Sequence, residues 1–172
     1  MQTTTLRSIA KIALAPFVAL ALPAFAALDV KDITLGAKER DVKRQFPSAN
    51  CKPLQWESKA ADRRCDDSRV AFGGVEVQVT FYLKKDAVEA FDVRFDTKEL
   101  ERFVGFLKSR YGAPQSETRD TFERKGDKPR QVYKALWERG KERAVLTAQL
   151  EKRRASMLVS RGDFEEEIYR VR

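Results

Sequence analysis

Val75, Val77, Val79, Phe81 and Leu83 occupy every second position of one stretch, with Glu76, Gln78, Thr80 and Tyr82 between them. A period of two sends alternate side chains to opposite faces of a strand. This stretch therefore commits the chain to a sheet with one buried and one wet face, the habit of antiparallel sheets. Its neighbours agree. Val70 and Phe72 alternate ahead of Gly73-Gly74, a pair that supplies the positive φ angles of a two-residue hairpin. Lys84-Lys85-Asp86 turns the chain again, and Phe91, Val93 and Phe95 repeat the alternation with Asp92 and Arg94 outward.

Two helical patterns flank this meander. Leu28–Asp32 reads as an extended lead-in, and Ile33-Thr34-Leu35-Gly36 precedes a helix with Val42 and Phe46 four apart on one face. Ala37 joins the edge of that face, Lys38, Arg40, Lys43 and Arg44 point to water, and Pro47 ends the helix. After the meander, Asp96-Thr97 opens a second helix, with Glu99 placed for a capping box to Asp96. Leu100, Phe103, Val104, Leu107 and Tyr111 follow at helical spacing until Gly112 and Pro114. Arg119 to Arg130 reads as a charged loop. Three more strands are expected over Val132–Glu138, Ala144–Leu150 and Ala155–Ser160, turning at Arg139-Gly140-Lys141 and Lys152-Arg153-Arg154. The last stretch, Asp163–Arg172, fits a helix capped by Asp163 and a final strand equally well. The expectation is one α+β domain over residues 27–172. Its two helix-plus-antiparallel-meander units (α-β-β-β-α-β-β-β), 33–96 and 97–162, share one sheet.

Residues 1–26 are set apart as a cleaved signal peptide. Arg7 and Lys11 form a positive start, Ile12–Leu22 is apolar, and Ala24-Phe25-Ala26 is a small-x-small cleavage site. The apolar run falls short of the roughly 20 residues of a membrane span. Ala27, not cysteine, follows the cut, so a lipoprotein is not expected and the exported product is soluble. Two cysteines, Cys51 and Cys65, remain. An even count in an exported chain reads as a disulfide. Their spacing is not the Cys-x-x-Cys of redox-active pairs.

Residues 27–172 carry a net charge of +6, all of it beyond Asp96. That asymmetry biases encounters toward anionic partners, and in an exported protein nucleic acid is not among them. The chain contains no histidine, which removes serine–histidine and cysteine–histidine nucleophiles, most zinc sites and the usual proton shuttle. Gly73-Gly74 lacks the lysine and helix of a phosphate loop. Asp66-Asp67 and Glu165-Glu166-Glu167 are adjacent acids, not carboxylates facing across a cleft as glycosidases need, and they lack the alternating ligands of a calcium loop. No enzyme activity and no cofactor are expected.

Ile33-Thr34-Leu35-Gly36, the helix with Val42, Phe46-Pro47, Cys51, Cys65 and the meander after them resemble the β-lactamase-inhibitor-protein-like fold, including the small lipoprotein of the outer-membrane assembly machinery. The likeness covers Ile33 to Phe95, and Ala37-Lys38 stands where that family has a Met-Thr or Met-Ser helix cap. It implies a helical N-terminal part on an antiparallel sheet, protein binding without catalysis, and a periplasmic location. The function expected is an exported protein-binding module of the bacterial cell envelope (inhibitor, assembly factor or adaptor), using the exposed sheet face or the intercysteine loop. Its candidate anchors are Trp56, Tyr82 and Trp137. Trp56 is read either as a lid on the core or as an anchor, tryptophan being frequent at interface hot spots. The alternative is a binder of anionic lipid or polysaccharide headgroups through Arg143, Lys152, Arg153 and Arg154.

Overall fold

The computed structural model describes residues 27–123, 129–162 and 164–168; the expected signal peptide lies outside them. Among these described residues ten strands and three α-helices follow one another in chain order. A hairpin of β1 (Asp29–Val30) and β2 (Ile33–Thr34) leads into α1 (Glu39–Gln45), then β3 (Asn50–Pro53), β4 (Arg63–Phe72), β5 (Val75–Lys84) and β6 (Ala87–Phe95). After a 3₁₀ turn at Thr97–Glu99 come α2 (Leu100–Tyr111), β7 (Ser116–Phe122), β8 (Arg130–Arg139), β9 (Glu142–Gln149), β10 (Arg154–Arg161) and the short α3 (Phe164–Glu167). Strands β3 to β10 make one eight-stranded antiparallel sheet in the order β3-β4-β5-β6-β10-β9-β8-β7.

Each of the two longer helices is thus followed by four strands, not three. The additions are the sheet's edges. β3 absorbs Cys51–Pro53, shortening the intercysteine loop to residues 54–62. β7 occupies part of the expected charged loop, and all seven of its residues are exposed. With neither face buried it carries no apolar period to read. Its charges suit an edge strand, where they discourage further pairing. Cys51 and Cys65 are opposite each other in β3 and β4 and form the disulfide.

Both longer helices lie on one face of the sheet. Val42 and Phe46 are buried there, the Phe46 ring 5.0 Å from Phe81. From α2, Phe103 stands 4.4 Å from Phe95 and 5.8 Å from Phe72. Every predicted apolar position of α2 is buried. The helix begins later than expected: Thr97–Glu99 is a 3₁₀ turn capped by the Asp96 carboxylate, which accepts from the Lys98 amide. Glu99 pairs with Arg102 instead of closing a capping box. At the far end of α2, Arg110 holds the buried Asp29 carboxylate at 2.6–3.0 Å, and the Tyr111 hydroxyl donates to the Asp29 carbonyl at 2.6 Å. The lead-in hairpin is thereby fastened to the helix. Among the described residues no helix is long and apolar enough to cross a membrane.

Gly73 and Gly74 form the β4–β5 turn with φ of 62° and 73°, as their sequence requires. The equivalent β5–β6 turn uses Lys85 and Asp86, at 48° and 66°.

Candidate functional site

The two longer helices, α1 and α2, pack on one face of the sheet; the outward residues of the strands form the other. Cross-strand register arranges those residues in rows. Tyr82, Ala90, Ser160, Arg143 and Glu138 are successive partners from β5 to β8. The next row runs Thr80, Asp92, Leu158, Val145, Leu136, and the one after it Gln78, Arg94, Ser156, Thr147, Lys134.

The two halves of this face differ electrostatically. On β4–β6 the charges neutralise one another: Arg94 pairs with Asp92 at 2.7 Å, Arg64 pairs with Asp66 at 3.0 Å, and the Thr80 hydroxyl donates to Asp66 at 2.9 Å. Burial pushes the Asp92 carboxyl up from its ordinary range against the pull of Arg94, and Glu165 adds to the upward push. On β10–β8, half-buried Leu158, Val145 and Leu136 lie side by side. Around them Arg143, Lys134, Lys152 and Arg154 have no acid within ion-pair distance among the described residues. The Nε of Arg143 is buried without a hydrogen bond, a cost usually avoided in native proteins.

The expected anchors are placed differently from one another. Trp137 is fully buried in the main core, its indole N–H donating to the Gly112 carbonyl at 2.9 Å, so it cannot contact a partner. Tyr82 points outward as expected but is only 8% exposed, because α3 covers it: its ring centroid is 5.4 Å from that of Phe164. Trp56 is half-buried and lids a second, smaller apolar cluster on the outward face, where it packs with Tyr82, Ala90, Leu158, Phe164 and Ile168. The sequence left the terminal segment open between helix and strand; its described part is helical.

Of the four basic candidates, Arg143 stands within the face. Lys152, Arg153 and Arg154 gather at one end, bordering a groove of about 800 Å³ together with Arg94, Gln78 and Ser156. Arg153 is already engaged by Asp96 at 2.8 Å. Sequence reading missed Leu136, Val145 and Leu158. Their signal was present: Ala135-Leu136-Trp137, Ala144-Val145-Leu146 and Met157-Leu158-Val159 are unbroken apolar triplets where a one-sided strand should alternate.

Cys51, Cys65 and Glu39 come close enough to suggest a metal site, but the disulfide consumes both thiols. No protein-family model, curated protein or solved structure matches this chain.

Proposed function

We propose that this chain is an exported, non-catalytic protein-binding module of the bacterial cell envelope, of the inhibitor, assembly-factor or adaptor kind. It acts in the periplasm and engages its partner with the outward face of the eight-stranded sheet. One observation carries this reading: Leu136, Val145 and Leu158 form a half-buried apolar row, beside cations that no described acid neutralises. An apolar centre with a charged rim is the anatomy of protein interfaces, and unpaired cations beside it favour an acidic partner. A helix followed by an antiparallel meander, occurring twice, supports descent from a duplicated unit and the likeness to the β-lactamase-inhibitor-protein-like fold.

Residues 27–172, immobilised and exposed to envelope extract, should retain a protein partner through a high-salt wash. The Lys134→Glu, Arg143→Glu double variant should lose it. If nothing is retained at low or high salt, the proposal falls. The second reading, adsorption to anionic lipid or polysaccharide, draws on Lys152 and Arg154 at the groove. It predicts retention that collapses above physiological ionic strength, where the Debye length is about 8 Å.

A further inference from the structure

We propose that Phe164–Ile168 is a displaceable plug on the outward sheet face, occupying a docking site for an acidic amphipathic segment of a partner protein. This rests on the binding role assigned to that face.

The plug belongs to the second apolar cluster, separate from the main core. Phe164 and Ile168, one helical turn apart, are its two buried apolar side chains, set against Tyr82, Ala90 and Leu158. Two hydrogen bonds tie its backbone to the intercysteine loop: the Trp56 indole N–H donates to the Ile168 carbonyl at 2.9 Å, and the Ser58 hydroxyl donates to the Glu167 carbonyl at 3.2 Å. A four-residue helix has almost no stability of its own, so its packing and hydrogen bonds against the rest of the protein hold it.

The fit is incomplete. An open cleft of about 220 Å³ remains between the plug and the sheet, lined by Phe164, Glu165 and Ile168 on one side and Tyr82, Asp92, Ser156 and Leu158 on the other. Arg143, two strands beyond Ala90 in the same row, stays uncompensated; at the spacing of neighbouring strands that is about 10 Å away.

The site's charge preference is legible in the resident segment. Glu165 and Glu166 are exposed, Glu165 lining the first cleft with Asp92, and Glu167 shares a second cleft with Lys59, Lys84, Glu89 and Arg161, the last already paired with Glu142. A partner segment with the same apolar pair and acids, reaching farther along the row, would fill the cleft and meet Arg143. It would therefore displace the plug.

The test uses three disulfide-bonded proteins: residues 27–172, the same chain ending at Gly162, and the whole chain carrying Phe164→Ser and Ile168→Ser. The probe is a fluorescein-labelled synthetic peptide with the sequence of residues 161–172. Both opened proteins should bind it at least tenfold more tightly than the intact chain, and a peptide with Glu167 changed to Gln should bind more weakly. Opening should also red-shift the emission of Trp56, and the peptide should reverse the shift, while fully buried Trp137 supplies a constant background. Failure of the peptide to bind either opened protein, or equal binding to all three, overturns the plug. The extract experiment is read separately. A partner retained equally by intact and opened proteins removes the gating role and leaves the binding function standing. Peptide binding with no partner retained does the reverse.

Discussion

Replacing Cys51 and Cys65 together with alanine should lower the stability of the oxidised protein by about 3 kcal/mol, the chain-entropy value for closing a loop of about 15 residues. The two cysteines are 14 apart in sequence and directly opposed in β3 and β4, so the bond closes that loop across one pair of neighbouring strands. Alanine is preferred to serine because Cys65 is fully buried, and an unsatisfied hydroxyl there would add 1–3 kcal/mol unrelated to the crosslink. For a domain of this size about 3 kcal/mol corresponds to a fall in Tm of roughly 10 °C. Urea melts followed by far-UV circular dichroism measure the loss directly. The loop also carries Trp56, so Trp56 emission should shift to the red at denaturant concentrations that leave the circular dichroism native. A loss under about 1 kcal/mol would refute the reasoning, because pairing of a four-residue edge strand would then fix the loop without covalent help.

Three further expectations concern the scaffold. Gly73→Ala should cost more than Gly74→Ala in thermal melts. Both residues have positive φ, which costs about 1–2 kcal/mol for an L side chain, but only at Gly73 would the new Cβ meet a neighbour, the Phe106 ring at 2.5 Å. Arg110→Met should destabilise by about 2–3 kcal/mol, somewhat under the usual cost of breaking a buried pair because Arg110 is one-third exposed; adding Asp29→Asn should recover part of the loss in a double-mutant cycle. Stability should also fall in alkali. Burial first, then the Asp29 charge, raises the Tyr111 hydroxyl to about 12, and burial with a hydrogen bond to Glu117 raises that of Tyr133. Because the folded value lies above the unfolded one, near 10, the stabilisation is complete below about pH 10 and is lost as pH climbs to about 12. For Tyr111 this amounts to 2–3 kcal/mol, on the order of two pKa units; denaturant midpoints that stay flat from pH 9 to 12 would contradict it.

The strands with one buried face were legible because the period of two in Val75–Leu83 and Phe91–Phe95 records that face directly. The same holds for α2, whose five apolar positions all point into the core. The edges were not legible, and the reason is physical. β7 buries nothing and β3 is short and ends at Pro53, so each owes its conformation to the strand beside it rather than to its own side chains. Trp137 shows the limit of reading aromatics as anchors: it follows strand alternation with buried Ala135, and that phase, not its residue type, sent it inward. The outward face was half visible. The basic excess beyond Asp96 falls on the β10–β8 half of the sheet, but the cancellation of Arg94 by Asp92 and of Arg153 by Asp96 depends on register that composition does not record.

The two four-stranded ribbons meet along a single seam, where Phe95 pairs with Ala155 and Ala90 with Ser160, sixty and seventy positions apart in the chain. Closing so long a loop is entropically slow compared with folding the hairpins on either side of it. Until it closes, each ribbon presents a naked strand with unsatisfied amides, at the stage of a newly synthesised chain when a second copy could pair there instead. The continuity that gives the molecule its broad surface is therefore also what makes its maturation sensitive to crowding by its own kind.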